Sequence, residues 1–307
     1  MTSLDTQVPP LNTTLMGMLR GVANHFRLPW TDPFLYGATG HAFLINLHPQ
    51  LSPSSPNCWD RRRFFELVQN LGIEVRDLGL FGSNSTPEER ERIGETVRRE
   101  VDAGRPVGLL NTEFQLIIGY DGDTFHMTQP WPGMDFPPGR LNAKTWEEFD
   151  SDAHASFFGF APCQPAETMA AVKAGLQFSL DTWDHPRAYA CDGYAMGPEA
   201  YRFWAEAIDE YGQTHGHWWN ATVWSECRTM AARFFEELSH KISSHEWESL
   251  ARDYNGIARE FARVADREAP TDAKREHVRR LARYEHAAIE RIRTILATMQ
   301  ARSSWLL

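Results

Sequence analysis

Thr39, Gly40 and His41 stand together in Tyr36-Gly-Ala-Thr-Gly-His-Ala-Phe43, a glycine-spaced loop running into an apolar segment that ends near Leu47. Where such a loop opens a helix, backbone N–H groups and the dipole end favour an anion or a nucleophile. Thr39 then offers a hydroxyl and His41 an imidazole, unless His41 simply caps the helix. Cys58, in Pro56-Asn-Cys-Trp-Asp60, is a second nucleophile if His41 or His48 reaches it, and otherwise a half-buried thiol.

Three further groups lie in the second half. Trp183–Met196 (WDHPRAYACDGYAM) is a polar-aromatic connection between helices, and long connections of this kind often carry function. Cys191, Asp192 and Tyr194 are its candidate ligand contacts, against the alternative of a surface loop with one apolar plug. Aromatic walls with few charges suit a small organic ligand better than a peptide. His215-Gly-His217, with Glu226 farther along the same helix, has two imidazoles and a distant carboxylate. Metal sites need three convergent ligands, so no metal and no cofactor are expected. Glu285 falls in the apolar stripe between Leu281 and Ala288, so its carboxylate points inward and needs a cation or hydrogen bonds. Arg228 is the expected partner, and a substrate contact is the other possibility.

The elements that position these groups follow from periodicity. Leu15, Met18, Leu19, Val22 and Phe26 predict a first helix, with Pro29 and Pro33 interrupting afterwards. A helix around Phe64–Leu71 stops at Gly72, before a short strand Glu74–Leu78. Thr86-Pro-Glu-Glu89 predicts an N-capped helix carrying Ile93, Val97 and Val101. Strands are predicted at Val107–Asn111, Phe114–Tyr120, Thr124–Thr128 and Ser156–Ala161, with Asp121-Gly122 as a tight turn. The Phe114 strand is apolar on both faces, which predicts cover on both sides. From about residue 165 apolar stripes recur at helical spacing, including one that a capping box at Ser243–Glu246 would open, and this half reads as an all-α bundle.

The order of elements in the first half, with Glu113-Phe-Gln-Leu-Ile-Ile-Gly-Tyr-Asp121 and Gln129-Pro130, resembles the papain-like cysteine peptidases of the peptidase C39-like branch. It looks particularly like the N-terminal domain of the butirosin-biosynthesis H aminoglycoside acyltransferases, over roughly residues 12–162. The resemblance implies an α+β fold: a papain-like domain with a small antiparallel sheet at 1–164, then the all-α bundle at 165–307. It implies a catalytic Cys at the start of the first core helix, a His opening the central strand, and an Asp or Asn before a Pro. The matching positions hold Thr39, Glu113 and Gln129. A Cys–His pair works because imidazole stabilises the thiolate and returns the proton, and these residues do not replace it. A Thr39–His41–Glu113 set could support general-base chemistry instead, with His41 between hydroxyl and carboxylate. Gln115, Cys58, Cys191, Asp192, Tyr194 and Glu285 are the candidate substrate contacts.

Composition bounds the partners. A formal charge of −10 argues against non-specific binding to nucleic acid or anionic membranes. No run approaches the length of apolar sequence that spans a bilayer, and the N-terminus lacks a basic segment followed by an apolar one. The four cysteines are widely separated, which fits reduced thiols in a cytoplasm. The expectation is a cytoplasmic acyltransferase or amide hydrolase-like protein with a non-standard site, acting on a small molecule, with a homo-oligomer left open. The alternative is a catalytically inactive ligand-binding or assembly protein that retains the fold.

Overall fold

The computed structural model describes residues 2–82, 85–145, 155–242 and 245–304. The first part of the chain forms β1 (Thr2–Ser3), α1 (Thr14–His25), α2 (Asp32–Ala38), β2 (Asn46–Leu47), α3 (Arg62–Gln69), β3 (Ile73–Phe81) and α4 (Pro87–Asp102). Strands β4 (Val107–Leu110), β5 (Phe114–Asp121), β6 (Thr124–Met127), β7 (Arg140–Asn142) and β8 (Ala155–Pro162) follow. The rest is α5 (Thr168–Asp184), β9 (Ala195–Met196), α6 (Gly197–Tyr211), α7 (His215–Lys241), α8 (His245–Val264) and α9 (Thr271–Ser304). The mixed helix-and-sheet class expected from the sequence is therefore present. Ser243, the expected cap of α8, lies outside the described residues.

Two compact units emerge. One comprises residues 1–30 and 68–165, the other 31–67 and 166–307. Residues 31–67 group with the helical part rather than with the sheet. The aromatic side chains of this segment explain it, since Phe34 and Phe43 both pack on Phe234 of α7.

The sheet unit is antiparallel, in the order β3-β8-β4-β5-β6-β7, with β1 added to β5. Strand β5 lies inside it, and both its faces are covered. On one face Leu116 meets α1, close enough that a Cβ on Gly21 would stand 2.8 Å from its Cδ1. On the other, Ile117 joins Ile93, Val97 and Val101 of α4 in a buried cluster with Phe125 and Phe157. Helix α4 begins as its sequence predicts. Thr86 accepts from Glu89 N at 3.2 Å, and Glu89 accepts from Thr86 N at 2.9 Å, a complete capping box.

The helical unit is organised on α7, whose Trp219, Val223, Trp224, Cys227, Phe234 and Leu238 are all buried. Strands β2 and β9 pair through Asn46–Met196 and Leu47–Ala195. Asn46 Nδ2 donates to Ser55 O at 2.6 Å and to Cys58 O at 2.9 Å, shaping the loop that carries Cys58. No helix among the described residues is long and apolar enough to cross a membrane.

Candidate functional site

Thr39 does not open a helix; it closes one. Helix α2 is N-capped by Thr31, whose side chain accepts from Phe34 N, and runs to Ala38, leaving Thr39 as the C-terminal cap. The peptide dipoles there present carbonyl oxygens rather than N–H groups, the wrong polarity for an oxyanion. The helix start expected behind Thr39 is therefore corrected, since only a single 3-10 turn, His41–Phe43, follows. Thr39 Oγ1 donates back to Leu35 O at 2.7 Å, and the residue is buried. Gly40 makes the exit possible with φ +75°, a left-handed conformation that glycine adopts without strain.

His41 is fully enclosed. Its ring lies 5.7 Å from that of Phe64, 5.9 Å from Trp59, 6.0 Å from Tyr36 and, stacked, 6.4 Å from Trp224. Nδ1 is 3.7 Å from Cys227 Sγ, while Nε2 meets no hydrogen-bonding atom among the described residues. Burial, followed by the positive charge of Arg228, lowers its pKa to about 3. The imidazole is neutral at physiological pH but resists protonation strongly, so it is a poor general base.

Glu113, Gln115 and Gln129 belong to the sheet unit, Thr39 and His41 to the helical unit. Glu113 Oε2 accepts from Thr14 Oγ1 at 2.6 Å, and the same oxygen of Thr14 accepts from Phe114 N at 3.2 Å. The carboxylate thus ties the start of α1 to the start of β5. Gln115 Nε2 donates to Thr128 O and Pro138 O, both at 2.9 Å, and Gln129 Nε2 donates to Pro137 O at 2.6 Å. Gln115 thus braces the 128–138 loop against β5, and Gln129 closes the loop on itself.

Three of the sequence-predicted contacts, Cys58, Cys191 and Tyr194, converge on the helical unit. Trp59 and Ala190 form an antiparallel bridge, reinforced by Asp60 N donating to Tyr189 O at 2.7 Å. Continued by one residue, that register brings Cys58 opposite Cys191, and the two thiols lie within each other's field. Cys58 is half-buried, Cys191 exposed, and both are free thiols. The Tyr194 hydroxyl is 2.8 Å from Ser54 Oγ and also reaches the Cys58 thiol. Desolvation first, then Cys58, push the Tyr194 phenol up to about 12. The His48 ring stands edge-on to Tyr194, centroids 5.1 Å apart. Arg61 lies in the field of both thiols. Burial raises the Cys191 pKa, as do Cys58, Asp60 and Asp192, against the opposing pull of Arg61. Asp192, exposed and next to Cys191 in the chain, makes the smallest of these contributions.

Glu285 is elsewhere in the same unit, without exposure, where Arg228 Nε donates to its Oε1. The expected partnership is present. Arg228 Nη1 also donates to Leu44 O at 2.6 Å and Ala42 O at 3.3 Å, and its guanidinium lies 5.4 Å from the Phe261 ring centroid. Burial works against the charge on Arg228, and the Glu285 carboxylate, together with Tyr201 and Cys227, raises its pKa above the ordinary guanidinium value. Tyr201 and Tyr254 adjoin the pair, both phenols held well above their usual range by burial and then by the Glu285 charge. As a sealed ion pair, Glu285 makes a structural brace rather than an accessible contact.

His217 has both nitrogens engaged. Nδ1 accepts from Trp204 Nε1 at 3.1 Å, which leaves Nε2 to donate to Val264 O at 3.1 Å. Burial lowers its pKa to about 4. Among the described residues no three His, Cys, Asp or Glu side chains are placed to hold a metal ion.

Ser54 and Arg61 are the cluster residues that sequence reading missed. Their signal was weak, a serine in a Pro/Ser loop and the first of three consecutive arginines. Comparison with protein-family models gives no match, and comparison with curated proteins gives none either.

Proposed function

We propose that this chain is a small-molecule-binding protein that keeps a cysteine-peptidase-like arrangement without its catalysis, and that the Cys58–Tyr194 cluster receives the ligand. The observation carrying this reading is the occupation of Thr39, whose hydroxyl is committed to carbonyls of its own helix at the carbonyl end of that helix. In the cluster, Tyr194, His48, Ser54 and Cys58 are half-buried and Cys191 is exposed. They suit a small organic molecule with one flat apolar face and a group that exchanges hydrogen bonds with a phenol and a hydroxyl.

A library of small aromatic amides and esters, screened by ligand-observed NMR on the full chain, tests this. Hits should lose at least tenfold in affinity with Tyr194→Phe, while the variant keeps the wild-type melting temperature. Hits indifferent to Tyr194→Phe and to Ser54→Ala would overturn the site.

The acyl-transfer reading keeps one specific support, the Cys58 thiol beside a phenol and a guanidinium. Treatment with p-nitrophenyl acetate distinguishes the two. A Cys58 acetyl adduct that forms and then hydrolyses with turnover would favour the enzyme, whereas stoichiometric or absent labelling favours the binder.

A further inference from the structure

The antiparallel bridge between Trp59 and Ala190 has a covalent implication. Directly opposed residues of an antiparallel pair project to the same face, with Cα atoms about 4.5–5.5 Å apart. Disulfides form at Cα separations of about 4.4–6.8 Å. The Asp60–Tyr189 hydrogen bond fixes the register one residue beyond the bridge, so Cys58 and Cys191 are not free to slip past one another. Each stands in the field of the other and of Arg61, and Cys191 is open to solvent.

We propose that Cys58 and Cys191 are a reversible dithiol–disulfide pair, oxidised by low-molecular-weight disulfides. The exposed Cys191 thiolate attacks one sulfur of the oxidant, whose S–S bond breaks to release the first small thiol. Cys58, as thiolate, then attacks the Cys191 sulfur of the mixed disulfide, and the second small thiol leaves. The oxidant gains two electrons, the protein loses two, and the two thiol protons end on the released small thiols. Arg61 offsets the negative charge of either thiolate. Cys163 and Cys227 have no part in this. Cys227 is buried beside His41, and Cys163 donates toward Gln69 O at 3.5 Å in the sheet unit. The pair requires no bound ligand, so it stands apart from the binding reading above.

The experiment equilibrates the full chain in buffers of graded reduced-to-oxidised glutathione ratio, quenches with acid, then alkylates under denaturing conditions for intact-mass and peptide analysis. The expected result is a monomer lacking two alkyl groups, with the Cys58 and Cys191 peptides joined, fully reversed by dithiothreitol. Cys58→Ser and Cys191→Ser should each abolish the bridge, and Cys163→Ser should leave it unchanged. Four alkylated cysteines at the most oxidising ratio would overturn the proposal. So would a bridge to Cys163 or Cys227, or bridging found only between chains. If Cys58→Ser perturbs folding, Cys191→Ala at the exposed position gives the same readout.

Discussion

Arg228 of α7 and Glu285 of α9 form an ion pair with no exposure on either side, and the same guanidinium holds the carbonyls of Ala42 and Leu44. Two helices and the turn beyond Gly40 are therefore fastened through one side chain. Removing one partner leaves a buried charge without its counter-ion, at a cost of about 3–5 kcal/mol, whereas replacing both by apolar groups is often neutral. Glu285→Gln and Arg228→Met should each lower the unfolding free energy by that amount in urea titrations. Arg228→Met/Glu285→Leu should lose less than either single variant. An additive double variant would show that the pair does not act as a unit.

Acid sensitivity should follow from the two buried histidines. His41 and His217 have folded-state pKa values of about 3 and about 4, below the ordinary histidine value near 6.5. The unfolded chain binds their protons first, so stability is full above about pH 6.5 and falls as the pH drops towards these lower values. Each histidine contributes at most about 1.4 kcal/mol per pH unit in that window. Urea midpoints measured between pH 7 and 4 should decline for the wild type, and His41→Leu should decline with a visibly shallower slope. Parallel slopes for the two proteins would show that His41 takes a proton without unfolding.

The repeated stripes are readable because each helix buries one face. Helix α4 follows its capping box, its Pro87 and its Ile93–Val97–Val101 stripe, and Glu285 announces its ion pair by interrupting an apolar row. Helix α2 carries no such signal. At seven residues it has too few turns for a period, and Pro29 and Pro33 look like breakers, although Pro in the first turn after Thr31 is a helix-start signal. That one omission turns Thr39 from a helix end into a helix beginning, and the catalytic expectation follows from it. The apposition of Cys58 and Cys191 rests on a single bridge between two irregular loops far apart in sequence, which no local pattern encodes. Grouping residues 31–67 with the bundle likewise depends on which aromatic rings meet, not on any change in composition.

Thr39 and Glu113 should behave as structural residues. Thr39→Val keeps the shape and deletes a hydroxyl bonded to Leu35 O, so about 1 kcal/mol of stability should be lost. Thr39→Ser should restore most of it. Glu113→Ala strands the buried Thr14 hydroxyl and should cost about 1–3 kcal/mol, while Glu113→Gln, which still accepts from Thr14, should cost less. Denaturation curves give these differences, and fragment affinities from the NMR screen should not move in any of the four variants. A variant with unchanged stability but altered affinity would return Thr39 or Glu113 to the ligand site.

The approach of α2 to α5 supplies the sharpest steric test. A Cβ on Gly40 would lie 2.8 Å from both Gly175 O and Phe178 Cδ1, and the backbone there has φ +75°. One on Gly175 would lie 2.5 Å from Ala38 O and 2.6 Å from Gly37 O. Neither clash is with the end of a flexible side chain alone, so each requires the helices to separate and the carbonyls at the end of α2 to shift. Gly40→Ala carries in addition the strain of a left-handed alanine, about 1 kcal/mol or more. Gly256 in α8 is the opposite case, with no atom within 4 Å of the place a Cβ would take and with ordinary helical geometry. Gly256→Ala should stabilise the protein by about 0.4–1 kcal/mol through helix propensity and the unfolded chain. Gly40→Ala and Gly175→Ala should both melt several degrees below the wild type, and Gly256→Ala above it. If Gly175→Ala melts with the wild type, the close packing of α5 on the end of α2 is not what holds Thr39 in place.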